Sequence, residues 1–86
     1  MLTLQDCLAL CELTEDEVLA IAEHEHIPEM AAIELGSYLS HTPEGEQRIK
    51  TMIVEDIDAA RSRGDVRHAA MLKLVLQHYA AAHAQH

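Results

Sequence analysis

The chain of 86 residues lacks phenylalanine and tryptophan, and two tyrosines supply all of its aromatic rings. Its core must therefore be built from Leu, Ile, Val, Met and Ala. A domain of this length buries roughly 60% of its unfolded surface, so its stability margin is thin. Hydrophobic residues nevertheless make up 49% of the chain, which excludes a disordered polypeptide. We expect a single domain over residues 1–86, which a partner subunit would stabilise further.

Basic residues are also scarce. Six Lys and Arg stand against fifteen Asp and Glu, and the formal charge is -9 with neutral histidines. Nucleic-acid binders need cationic side chains to displace counterions, and anionic membrane surfaces attract the same side chains. We therefore predict neither nucleic-acid nor membrane binding. Protonation of all seven histidines would bring the charge from -9 to -2, so association is expected to depend on pH near 6.

Long apolar runs and a secretory leader are missing as well. No run of about 18 apolar residues occurs, so no transmembrane helix is predicted. Residues 1–6 lack the basic start and the apolar segment of a signal peptide, and we expect a cytoplasmic location. Cys7 and Cys11 fit this location. On one helix their Cβ atoms would lie about 5–6 Å apart, whereas a disulfide needs about 3.5–4.5 Å, so we interpret both as reduced thiols in the core.

Helix-start and helix-stop residues divide the chain into about five predicted helices, and no alternating β-branched run predicts a strand. Thr14 and Glu17 have the spacing of a capping box. Pro28 and Pro43 suit the first turn of a helix, and Gly64 is a natural helix end. The predicted helices cover about residues 3–12, 15–26, 28–40, 43–63 and 65–82.

These signals predict an all-α fold. Its two longest helices, 43–63 and 65–82, would form an antiparallel hairpin, against which three shorter N-terminal helices pack. A residue advances by about 100° around a helix, and this phase predicts the apolar face of each long helix. The predicted faces are Ile49, Met52, Ile53, Ile57 and Ala60 on the first of them, and Met71, Leu72, Val75 and Tyr79 on the second.

Several polar side chains fall on or near apolar faces. Helical phase points Glu25 and His26 inward, leaves Glu23 at the edge, and places Asp56 and His68 within the faces of the long helices. Two interpretations remain open. Buried polar groups need partners, so carboxylate–imidazole hydrogen bonds would fix the helix packing. Alternatively, the five residues would form a metal site, because Glu, Asp and His suit zinc, iron or manganese.

One part of this cluster resembles a known motif. Glu23 and His26 stand in an E-x-x-H spacing, which is similar to one element of the ferritin-like di-iron proteins. That family uses two such motifs and two further glutamates on long helices. This chain has one clear example, at a helix end before Pro28, and a symmetric oligomer would supply a second copy. We assign no site residue from this resemblance.

The predicted third helix is apolar on two sides. One face consists of Ala31, Leu35, Tyr38 and Leu39, and Met30 and Ile33 project roughly opposite. A surface helix needs one apolar stripe, so the helix is either central to the fold or in contact with a partner. We predict a homodimer with Met30 and Ile33 near a two-fold axis, because one patch then covers itself.

The remaining histidines complete the set of expectations. We expect His68 to be buried and neutral, with its side chain turned back to the first turn of its helix. His41, His78 and His83 are expected to be solvated, in the case of His83 because the Ala-rich end of the chain should fray.

Catalytic signatures are absent from the sequence. It has no glycine-rich phosphate loop, no G-x-S-x-G and no H-E-x-x-H. We therefore predict that the protein is not an enzyme. The favoured function is a protein–protein interaction or regulatory accessory module, whose partners are a second copy of itself and another protein. The second hypothesis is a metal-binding protein that uses the Glu/His/Asp cluster.

Overall fold

The structure is a computed structural model that describes residues 13–83. These residues form four helices, α1 (Glu15–Glu25), α2 (Glu29–Leu39), α3 (Pro43–Ser62) and α4 (Val66–Ala82), and they contain no strand. The all-α prediction is confirmed. The predicted helix over residues 3–12, with Cys7 and Cys11, lies outside the described residues, so the predicted count of five helices is not matched.

The helix boundaries agree with the predicted ones to within one residue, because local capping groups set them. The Thr14 amide donates to Oε1 of Glu17 at 3.0 Å, and the Glu17 amide donates to the Thr14 hydroxyl at 3.2 Å, which completes the capping box. Thr42 and Asp65 each accept a hydrogen bond from the amide three residues further on. Gly64 ends the α3 region with a φ of 78°.

The core is formed by one side of every helix. α3 and α4 make the most extensive contact, and α1 packs against the other three helices. Tyr79 is fully buried, and its hydroxyl lies 2.9 Å from the hydroxyl of Ser40. The buried apolar residues are Leu13, Val18, Ala20, Ile21, Ala32, Ile33, Leu39, Ile49, Met52, Ile53, Ile57, Ala60, Ala69, Leu72, Val75 and Tyr79.

Phase reasoning identifies the inward face of α3 correctly and that of α4 in part. All five residues predicted for the α3 face are buried. On α4, Leu72, Val75 and Tyr79 are buried, but Met71 is exposed. The reason is that α4 turns its core side toward α3, which moves Met71 out to the side that borders α1.

The prediction for α2 was wrong in one important respect. Ile33 is only 7% exposed and belongs to the core, whereas Tyr38, which we predicted on the opposite apolar face, is largely exposed. Met30 is 44% exposed, so it does not share a surface with Ile33. At Ile33, α2 therefore packs against the core of its own chain, which is the first of the two alternatives considered for this helix.

Two glycines allow close packing around α2. A Cβ atom at Gly36 would lie 2.5 Å from Cδ1 of Leu13 and 2.9 Å from Cδ1 of Ile21. A Cβ atom at Gly45 would lie 1.9 Å from the carbonyl oxygen of Leu39. The end of α2 and the start of α3 thus approach each other backbone to backbone, and only glycine fits there.

Candidate functional site

A cluster of carboxylates and imidazoles lies where the end of α1 meets α3 and α4. His24 is its centre: Nδ1 lies 2.8 Å from Oε2 of Glu25, and Nε2 lies 2.8 Å from Oε1 of Glu55. Both ring nitrogens therefore face carboxylates. An imidazole can donate through both nitrogens only when it is protonated, so this arrangement favours the charged form.

The pKa of His24 reflects competing effects. Burial lowers the pKa, but the hydrogen bonds to Glu55 and Glu25 and the negative charge of Asp56 outweigh burial, so the pKa is raised above 6.5. The helical phase that points Glu25 and His26 inward puts His24 on the outer side of the helix. The structure instead makes it the residue that joins α1 to α3, a role for which the sequence offers only the His–Glu neighbourhood as a signal.

Asp56 is the second group with a displaced pKa. Burial raises the pKa of this carboxyl above its ordinary value. The negative charges of Glu23 and Glu55 add to the rise, and the neighbouring His24 and His68 only partly offset it. Its Oδ2 atom is buried and has no hydrogen-bond partner among the described residues. Asp56 is thus turned toward the interior, as the sequence predicted.

His68 joins α4 to α1. Its Nε2 lies 2.9 Å and 3.0 Å from the two carboxylate oxygens of Glu23, which is 45 residues earlier in the chain. The side chain is partly exposed. The expectation that His68 is buried and turns back to its own first turn was therefore wrong. The Asp65 side chain caps the backbone amide of His68, while the imidazole reaches across to the neighbouring helix.

The predicted metal residues are only partly brought together. Glu23 and His68 form a direct pair, and Glu25 contacts His24. His26 is exposed, because it adopts the left-handed conformation (φ 57°) that ends α1 and carries its side chain away from the inward face. Within residues 13–83, no group of three or more His, Cys, Asp or Glu side chains is placed so that it could hold a metal ion.

A second glutamate–histidine pair joins α1 to α4 at the other end of their contact. Nδ1 of His78 lies 2.9 Å from Oε2 of Glu17, whose side chain is only 1% exposed. The pairing of residue 17 with 78 and of residue 23 with 68 shows that α1 and α4 run antiparallel. We predicted a solvated His78, and most of its side chain is indeed exposed, but its role in holding Glu17 was missed.

An apolar groove runs along the contact of α1 and α4, between the two glutamate–histidine pairs. Two adjoining depressions form it, and both are lined by Asp16, Met71 and Val75. Leu19 contributes to one depression and Leu74 to the other. The carboxylates on this groove are Asp16 and Glu23, and neither Lys nor Arg lines it. We call it the α1/α4 groove.

Several exposed residues on the outer face of α4 are apolar. Leu74 is 66% exposed and Val66 is 75% exposed. Ala70 and Ala81 are exposed on the same side of the helix, at the positions four before and seven after Leu74. The exposed Gln77 lies on the same side, between Leu74 and Ala81. We call the apolar residues of this stripe, Ala70, Leu74 and Ala81, the α4 ridge.

Basic charge is concentrated beside the α4 ridge. Four of the six Lys and Arg residues of the chain fall within residues 61–73. A shallow depression between α3 and α4 is lined by two of them together with small apolar side chains. Its lining residues, which we call the α3/α4 patch, are Arg61, Val66, Ala69, Ala70 and Lys73.

His83 corrects one further expectation. Its side chain is buried, its ring stacks on Tyr79 with centroids 4.1 Å apart, and its Nδ1 lies 2.9 Å from the Tyr79 carbonyl oxygen. The end of α4 is therefore anchored as far as residue 83. Residues 84–86 lie outside the described part of the chain.

Comparisons of the chain with protein-family models, with curated proteins and with solved structures found no match. Across residues 13–83, none of the helices combines the length and the apolar character that crossing a lipid bilayer requires.

Proposed function

We propose that this chain is a protein–protein interaction or regulatory accessory module that works as a homo-oligomer and catalyses no reaction. The observation that carries the proposal is the exposed apolar ridge of α4, centred on Leu74. Exposed apolar surfaces rimmed by polar groups are typical of protein interaction sites. A small domain with a thin stability margin also gains from burying such a surface against another subunit.

The rest of the fold holds α4 in a fixed position, with its outer face available to a partner. Leu72, Val75 and Tyr79 anchor its inner side in the core. His68 and His78 tie it to α1 at two points. In this proposal α3 and α4 act as the scaffold hairpin, and the rigid placement of α4 lowers the entropy that association would otherwise cost.

The homodimer prediction is retained, but its surface changes. Ile33 is in the core, so Met30 and Ile33 do not form a shared surface patch, and a single exposed Met is ordinary for a protein surface. The outer face of α4 offers several apolar residues in one stripe, so it is the better candidate interface.

A charge placed on the ridge tests the proposal. At micromolar concentration, light scattering on a sizing column should give wild-type protein a mass of at least twice the 9.6 kDa of one chain. Leu74→Glu should give a folded monomer, because Leu74 lies outside the core. Val54→Glu, a matched change at another exposed apolar residue on α3, should leave the mass unchanged. A monomeric wild-type protein at high micromolar concentration would contradict the proposal.

Metal binding, the second function predicted from the sequence, has a separate test. Metal analysis of untagged protein purified without chelators would show zinc, iron or manganese near one equivalent per chain or per dimer if a site exists. Glu23 and His68 are the two predicted ligands that form a direct pair. His68→Ala should then abolish the bound metal, whereas His41→Ala should not.

A further inference from the structure

We propose that the occupant of the α4 face is a second copy of this chain, whose α4 packs parallel to the first about a two-fold axis. This inference rests on the proposed function and adds the identity of the partner and its orientation. The argument starts from the two surfaces that flank the α4 ridge. The α1/α4 groove carries Asp16 and Glu23 on one side, and the α3/α4 patch carries Arg61 and Lys73 on the other.

Charge complementarity selects a second copy as the occupant. The groove presents apolar side chains with carboxylates and no Lys or Arg, so it fits a partner that is apolar and basic. The α3/α4 patch of the same chain has this character, since the exposed Val66 lines it together with Arg61 and Lys73. The patch contains two of the six Lys and Arg residues of an otherwise acidic chain, and its sequence range 61–73 contains four.

Symmetry then decides the orientation. When two identical helices pack face to face in parallel about a two-fold axis, the left flank of one helix meets the right flank of the other. The groove of each copy then faces the patch of its partner, and the contact closes on itself. In an antiparallel pair each flank meets its own copy, so carboxylates would face carboxylates and basic residues would face basic residues, which is unfavourable.

The levels of the charged residues along α4 fit the parallel arrangement. Asp16 borders Met71 and Val75, and Lys73 lies between these two positions in the sequence. Glu23 is held at His68, close to the level of Val66 and Arg61 in the patch. With the two α4 helices in register, each copy would bring Lys73 toward Asp16 and Arg61 toward Glu23 of the other. The α4 ridge provides small side chains that allow the helices to approach closely.

Engineered cysteines distinguish parallel from antiparallel packing. Ala70 and Ala81 are eleven residues apart on the ridge, which is about 16 Å along a helix. In the parallel arrangement, Ala70→Cys and Ala81→Cys, made as separate variants, should each form a disulfide between identical positions. In an antiparallel arrangement at most one of the two positions can lie at the two-fold axis. Mass spectrometry of the linked peptides identifies these bonds in the presence of Cys7 and Cys11.

A charge exchange tests the complementarity. Lys73→Glu and Asp16→Lys should each weaken the dimer about tenfold, because each change affects two symmetry-related exposed contacts. The double variant, with both charges exchanged in one chain, should recover most of the affinity. Arg48→Glu is a matched control on α3, at an exposed basic residue outside the patch, and should have little effect.

The outcomes separate this inference from the proposed function. Links at both positions together with recovery in the double variant support the parallel dimer. Suppose that Leu74→Glu dissociates the dimer, but that disulfides form at only one of the two cysteine positions or at neither. The parallel arrangement is then overturned, and the proposed interaction function still holds. If Lys73→Glu and Asp16→Lys do not change the affinity of the dimer, the parallel arrangement is also overturned. A wild-type monomer contradicts both.

Discussion

Nε2 of His24 lies 2.8 Å from Oε1 of Glu55 and thereby links the end of α1 to the middle of α3. The other ring nitrogen faces Glu25 at the same distance, and the charge of Asp56 also favours a protonated ring. The pKa of His24 is therefore raised although burial alone would lower it. A raised pKa in the folded state means that protonation and folding support each other.

We predict that His24→Gln removes a pH-dependent part of the stability. Because the folded pKa of His24 is raised, its contribution is fully present below the unfolded value of about 6.5 and is lost as pH rises through the folded pKa. Thermal melts should show the largest difference between variant and wild type near pH 6 and a smaller one near pH 8. His41→Gln, at an exposed histidine, should give no such trend. A difference that grows toward pH 8 would contradict the assignment.

Asp56→Asn should stabilise the protein at neutral pH. Burial raises the pKa of Asp56, so the stability associated with its neutral form is present below about 3.8 and is lost as pH rises through the folded pKa. An amide stays neutral, and the variant should therefore melt higher than wild type at pH 7, with the gain fading in acid. Asp58→Asn, at an exposed site two residues on, is the matched control. A lower melting temperature at pH 7 would show that attraction to His24 and His68 dominates.

The sequence predicts the helix ends well because local groups determine them. Thr14, Pro43 and Gly64 act through neighbours within three or four residues, and the boundaries of all four described helices follow from such signals. Helical phase is less reliable at the ends of elements. An ideal helix continued through His26 points that residue inward, whereas the left-handed turn there turns it out.

The candidate site was harder to predict because it depends on contacts between distant segments. Glu17 and His78 are 61 residues apart, and Glu23 and His68 are 45 apart. Nothing local to either histidine indicates its partner. The outward position of Met71 likewise depends on how α4 is turned between α1 and α3, which its own periodicity does not determine.

Gly45→Ala should be strongly destabilising although alanine is the better helix former. The added methyl group would overlap the carbonyl oxygen of Leu39, and backbone atoms cannot move aside as a flexible side chain can. We expect a loss of roughly 3 kcal/mol in the free energy of unfolding, at the upper end of overpacking costs. Gly64→Ala is the informative comparison, since its added methyl meets no atom within 4 Å. It should lose about 1–2 kcal/mol, from the positive φ alone. Urea denaturation measures both, and equal losses would contradict this reading of Gly45.

Glu17→Ala should destabilise the fold more than alanine at either of the other acidic residues in the first turn of α1, Glu15 and Asp16. The Glu17 carboxylate is buried, accepts a hydrogen bond from the Thr14 amide through Oε1, and contacts His78 through Oε2. Removing it takes away both contacts: a hydrogen bond to a charged group, such as the one from the Thr14 amide, contributes about 1.5–3 kcal/mol, and the pair with the mostly exposed His78 adds little. We expect a loss of about 2 kcal/mol in urea denaturation.

Three comparisons make this last prediction specific. Glu15→Ala, at an exposed glutamate in the same turn, should cost less than about 0.5 kcal/mol. Glu17→Gln should retain the capping box, because a glutamine oxygen also accepts from the amide of the capping residue, and should lose only part of the stability. His78→Gln should cost under about 1 kcal/mol, since this side chain is mostly in solvent. If Glu17→Ala and Glu15→Ala caused equally small losses in the free energy of unfolding, the buried carboxylate would not anchor α1 to α4. The Glu17–His78 pair would then not hold its end of the α1/α4 groove in place.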